Sequence, residues 1–367
     1  MVGPARLLGA GLVACVGLSL AAGIAGGLWR VGVMVPGAAD AAWLPRAGLA
    51  HAALMICAFL GTVIAIERAT AAKHRLAWMA PAASGLAGAC LLIGAESLAR
   101  GLLVLAAVVF TGVNIALLRR QWANHTLLLV VSALAWLAGN SLFALGGGSG
   151  AVLAWWFAFL VMTIAAERLE MTRLMPRRAA AQPLLYATLA ALLSGAGLSI
   201  VAPVAGGLLF GAALVALAGW LLAYDIARRT VRAEGLSRYM AVCLLGGYGW
   251  LAVGGCAWAA TALGAPARDA ALHALGLGFI VSMIMGHAPV ILPAVAGVKL
   301  WFGRWFYLPL ALLHASLLLR LAAGWSQLAW RAQGAMFNAA AIALFALTVA
   351  GAAVAWRRHA AQLKVKV

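Results

Sequence analysis

Five side chains in this sequence combine the types and spacing that metal or porphyrin binding needs: His51, His273, His287, His314 and Met283. All lie in apolar runs, where an imidazole is expensive unless it faces another helix, water or a bound group. His51 stands about five residues inside the second apolar run and His273 about five inside the tenth. Both runs proceed in the same sense, so at about 1.5 Å per residue the two share a depth. Two histidines at one depth on two helices can take the axial positions of a haem iron. The other reading gives each imidazole a hydrogen bond to a facing carbonyl or hydroxyl.

His287 follows His273 by fourteen residues. In α-helical geometry that is about 40° short of four turns and about 21 Å along the axis, so the two share a face but not a site. A second haem or a metal at the deeper level would use His287 with His314 of the next run, and Met283 offers copper a thioether. Pro289 and Pro293 remove backbone donors just beyond His287, which predicts a kink or a polar pocket there. Gly61, Gly276 and Gly278 lack the bulk that keeps a flat macrocycle or another helix away.

The elements that hold these residues are membrane spans. The chain of 367 residues is 66% hydrophobic and 9% charged, with a mean hydropathy of +1.04, outside the range of soluble domains. Twelve runs reach spanning length: 7–28, 47–66, 76–94, 99–118, 126–145, 151–168, 184–201, 203–224, 239–263, 269–296, 305–323 and 333–355. The least distinct division is that at Ala202 and Pro203. With a cytoplasmic N-terminus, 20 Lys and Arg, among them Arg173, Arg177, Lys299, Arg357 and Lys366, fall on the inner side and six on the outer. The expectation is an all-α polytopic protein, a single transmembrane domain over 1–367, with both termini cytoplasmic.

The net charge of +18 thus reads as topology and lipid contact, not as a nucleic-acid surface. The five cysteines lie singly in apolar runs and form no C-x-x-C pair. They read as small buried hydrophobes. No phosphate loop, nucleophile elbow, H-E-x-x-H or dinucleotide fingerprint occurs in a fitting context. The loops are short, so chemistry has to sit among the helices. "IAIER" at 64–68 and "IAAER" at 164–168 each close a span with a Glu-Arg pair, either as neutralised ion pairs or as functional carboxylates. Glu67, Glu167, His287 and the proline-broken helix would suit a proton-coupled transporter. A respiratory-complex assembly factor is a third class.

The stretches "HAALMICAFLGTVIAIERA" (51–69), "GYGWLAVG" (247–254) and "HALGLGFIVSMIMGHAP" (273–289) together resemble the NnrS-type membrane proteins. The resemblance covers most of the chain in helix order, with specific matches in the second, ninth and tenth runs. It implies a twelve-helix inner-membrane protein containing haem b and copper, tied to nitric oxide stress and denitrification. His51 and His273 would be its cofactor residues, with nitric oxide as a small ligand and an electron-transfer partner. Where the family carries His-x-His-Glu, this chain has His51 alone. A looser similarity to the catalytic subunit of haem-copper oxidases rests on the run count and on histidines in runs two and ten. The His-Pro-Glu and His-His motifs of those enzymes are missing here.

Overall fold

The computed structural model describes residues 4–38, 41–172 and 178–365, and every regular element among them is helical. Arg173, Arg177 and Lys366 lie outside these residues. Twelve helices are long and apolar enough to cross a membrane, from Gly9–Arg30 to Leu328–Gln362. Their number, length and composition are those of a multi-pass membrane protein. Lipid offers backbone groups no partner, so apolar runs of this length satisfy their N–H and C=O groups within each helix. The division at Ala202 is real: one helix ends at Val201 and the next begins at Pro203, where proline fits because a first helical residue needs no donor.

Within the expected transmembrane domain the helices form two compact units. The first comprises Met1–Glu170 with Leu193–Gly206, and the second Met171–Leu192 with Gly207–Val367.

In the first unit, Trp136 is fully buried. It stacks on Phe159 at 5.0 Å and 13° and meets Phe110 edge-on at 5.3 Å. Asn140 beside it ties four spans together. Its amide donates to Leu103 O at 2.8 Å, and its oxygen accepts from Trp156 Nε1 at 2.8 Å and from Cys57 Sγ at 3.4 Å.

The second unit packs on its ninth span, Gly235–Ala262. An added Cβ at Gly247 would fall 2.4 Å from Met283 Cε, one at Gly254 2.7 Å from Leu275, and one at Gly246 3.0 Å from His314 Cε1. The "GYGW" stretch is therefore the groove into which the tenth and eleventh spans fit. Close approach across small residues is what drives helix association in lipid, where burial of apolar surface gains nothing.

One order of elements occurs in both units. In the first it runs through a span (Pro4–Arg30), a short helix (Trp43–Leu49), a π-helical stretch (Ala53–Gly61) continuing as α-helix (Thr62–Ala72), a 3-10 turn (Arg75–Trp78) and two more spans (Met79–Ile93 and Glu96–Arg120). In the second it runs through Gly235–Ala262, Arg268–His273, a π stretch at Ala274–Val281 continuing as Ser282–Ala296, a 3-10 turn at Arg304–Phe306, then Tyr307–Leu321 and Leu328–Val365. Both π-to-α helices end on a left-handed residue, Lys73 at φ 52° and Gly297 at φ 65°. The Glu-Arg echo belongs to another relation, because "IAAER" closes the sixth span and has no counterpart role in this order.

Candidate functional site

His51 opens the second span immediately after the chain breaks at Ala50, and Ala53 begins the π stretch two residues later. Its Nδ1 lies 2.7 Å from Gly23 O of the first span. A carbonyl only accepts, so the proton sits on Nδ1 and the lone pair on Nε2, the nitrogen that ligates iron. The first span is cut to fit. A Cβ at Gly27 would come 2.8 Å from His51 Cε1, and one at Gly26 would come 2.4 Å from the backbone of Ala47 in the short helix.

His273 takes the matching place in the second unit, as the last residue of Arg268–His273 and directly before the π stretch. Its Nδ1 meets the backbone oxygen of Asp269 at 2.9 Å and the Asp269 carboxylate at 3.1 Å. That carboxylate is held by both arms of Arg320, from Nε at 3.0 Å and from Nη2 at 2.8 Å. Arg320 is only 7% exposed. A chain of Arg320, Asp269 and His273 thus ties the eleventh span to the head of the tenth and fixes the ring's tautomer and aim, the service that outer partners give ligating histidines.

His51 therefore stands at the head of its helix, not five residues inside as the apolar run predicted, whereas His273 lies five residues into the tenth span, Arg268–Ala296, as expected. A short separate helix, Trp43–Leu49, makes up the first turns of the second run, whereas Arg268–His273 passes without a break into the π stretch of the tenth. The π stretches also correct the relation of His273 to His287. Each π residue turns the helix by less than the 100° of an α residue, because the bond reaches one residue further. The whole-turn relation between the two rings does not carry across Ala274–Val281.

The deeper candidates are bound to neighbours of their own. His287 Nδ1 meets Met283 O at 2.7 Å within its own helix. Trp250 Nε1 donates to His314 Nδ1 at 2.7 Å, with the two rings 5° from coplanar. A ring accepting at Nδ1 carries its proton on Nε2, and in that state it has no lone pair left for a metal. Met283 is buried against Gly247. Among the described residues, no group of three or more His, Cys, Asp or Glu is arranged to hold a metal ion. The helix Ser282–Ala296 runs unbroken through Pro289 and Pro293. The two prolines mark the approach to its end at Gly297, without the break expected from them.

Of the glycines expected to make room for a macrocycle, two are already filled. A Cβ at Gly61 would meet Trp136 at 2.6 Å, and one at Gly278 would meet Trp250 at 2.4 Å. Gly276, three residues past His273, has nothing within 4 Å of that position. At the opposite end of the second span, Arg68 Nη2 pairs with Glu67 at 2.9 Å and with Glu167 at 3.4 Å. Arg68 thus joins the carboxylates of both Glu-Arg pairs in one ion cluster of the first unit.

Residues 6–354 match the model of a domain of unknown function, DUF8744. The chain belongs to the DUF8744 family. No curated protein and no solved structure matches it. What the DUF8744 match spans is the whole set of twelve helices up to the middle of the last, so both histidines and both π stretches belong to the family's domain. Asp269 and Trp250 are the residues that reading the sequence passed over. Asp269 left a signal, a carboxylate one turn before a half-buried histidine in "DAALH". Trp250 left none beyond its place in the ninth span.

Proposed function

We propose that the protein is a b-type haem-binding protein of the bacterial inner membrane, with His51 and His273 as the iron-ligating residues. One observation carries this. Each unit sets one histidine just before a π stretch, with its Nδ1 held on a backbone oxygen. Long π stretches are rare and concentrate at functional sites. The donors fit haem in that sense, and the open position at Gly276 leaves room beside His273.

Copper fits less well. His314 spends its Nδ1 lone pair on Trp250, so a metal at His287, His314 and Met283 would require that bond to break. The reading therefore rests on His51 and His273 alone. Bound haem would supply a one-electron couple. Residues of this chain would hold and aim the rings: Gly23 through its carbonyl, and Asp269 through carbonyl and carboxylate together. A role in nitric oxide tolerance, served by an electron-transfer partner, is what the NnrS resemblance adds.

The test is an optical spectrum of protein purified after haem-replete expression. The wild type should show a Soret band that His51→Ala and His273→Ala each diminish, while His74→Ala leaves it unchanged. A wild type without a Soret band ends the proposal. In that event, pH-dependent uptake by vesicles would favour the transporter class.

A further inference from the structure

Where the helix Ser282–Ala296 ends against the last helix, the second unit holds an open cleft of about 480 Å³. Its walls combine two cations, Lys299 and Arg357, with the ring of Trp356 and a small-residue surface at Ala296, Gly297 and Ala360. Lys299 Nζ sits 5.6 Å from the centre of the Trp356 ring. The connecting segment is pinned in place. Trp301 N–H donates to Ala352 O at 3.0 Å, and the Trp301 ring lies 4.5 Å from that of His359.

Among the described residues, no carboxylate neutralises this corner. Asp269 is the last carboxylate side chain in the sequence, and it is taken by Arg320 and His273. Among the described residues, neither Lys299 nor Arg357 has a carboxylate within 4 Å. Gly297 N–H caps Pro293 O at 3.1 Å and Val298 N–H caps Leu292 O at 3.3 Å. Two exposed cations, a tryptophan at the end of a span and a small apolar wall are the parts of a headgroup site. The cations meet a phosphate, the indole sits at headgroup level, and the alanines leave a track for acyl chain.

We propose that this cleft binds the phosphodiester headgroup of an anionic phospholipid, with Lys299 and Arg357 on the phosphate. The site lies on the side that the Lys and Arg count makes cytoplasmic, where a polytopic protein meets anionic lipid.

The full chain is purified in a neutral detergent, and binding of the first lipid is titrated by native mass spectrometry with phosphatidylglycerol and with phosphatidylcholine. The wild type should prefer phosphatidylglycerol. Each charge near the surface is worth about 5-fold, so Lys299→Gln with Arg357→Gln should weaken phosphatidylglycerol binding roughly 30-fold. The control is Arg228→Gln with Arg229→Gln, two exposed cations between the eighth and ninth spans, and it should bind like the wild type. Both variants should match the wild type in size-exclusion profile and helical circular dichroism. Equal binding of the two lipids overturns the proposal, as does an equal loss in the control, which would mean a general field. Displacement of the lipid by millimolar inorganic phosphate also overturns it, because the cleft would then be a site for free anions.

Discussion

Asp269→Asn should destabilise the protein more than any other single substitution of a polar side chain in the second unit. Asparagine keeps the shape and one acceptor oxygen but removes the charge that Arg320 grips at 2.8 and 3.0 Å. Arg320 cannot retreat to water. It is 7% exposed, and its backbone and Cβ lie against Gly334, where an added Cβ would come within 2.6 Å. Removing one partner of a buried pair costs about 3–5 kcal/mol, because the other charge stays desolvated. The remaining amide oxygen puts the expected loss near the lower end, about 3 kcal/mol. Pairing Asp269→Asn with Arg320→Met removes the stranded cation and should restore most of the stability, since a buried pair and a packed apolar side chain are close to equivalent. Reversible unfolding in mixed micelles, followed by circular dichroism, measures all three. A loss below about 1 kcal/mol for Asp269→Asn would show that water reaches the pair, and the reasoning from burial would fail. The same variant bears on the haem reading. The backbone bond to Asp269 O at 2.9 Å survives while the carboxylate at 3.1 Å is lost, so haem affinity should fall about 10- to 100-fold, the usual effect of losing an outer partner.

Gly26→Ala drives a methyl into the backbone of Ala47 and should cost about 1–3 kcal/mol, whereas Gly101→Ala, with open space around it, should gain about 0.5–1 kcal/mol; thermal unfolding of the two side by side checks the pair. Lys73 is the single described non-glycine residue with positive φ, so Lys73→Gly should raise stability by about 1 kcal/mol, read from the same melts. Asn140→Leu strands the Trp156 N–H and Leu103 O across three spans. At about 0.6 kcal/mol for an average interhelical bond and up to 1.7 for the best, the micelle titration should register a loss of about 2 kcal/mol.

The twelve spans were legible in the sequence because lipid allows so few ways to satisfy a backbone. An apolar run near 20 residues has to be a helix, and even the doubtful division at Pro203 falls where proline's missing donor allows. The histidines were legible as exceptions to that apolar pattern. Their surroundings were not. The π stretches differ from α-helix only in which carbonyl each N–H reaches, and "ALMICAFLG" and "ALGLGFIV" carry no side-chain period that would show it. The short helix before His51 is apolar enough to merge with the span it leads into, so the apolar run alone puts that ring too deep. Trp250 and His314 stand 64 residues apart, and Asp269 and Arg320 stand 51 apart. Only the fold selects these partners from many polar residues of similar kind.

In both units the π stretch makes the histidine's aim a matter of residue count more than of residue type. Rewinding Ala53–Gly61 as α-helix with no residue removed would add rotation at every position and swing the residues on its N-terminal side out of phase with those on its C-terminal side. His51 would then point away from Gly23 O with every side chain that now surrounds it still present in the sequence. The wide turns act as a phase setting: they hold a ring where an ordinary helix of the same composition would carry it past.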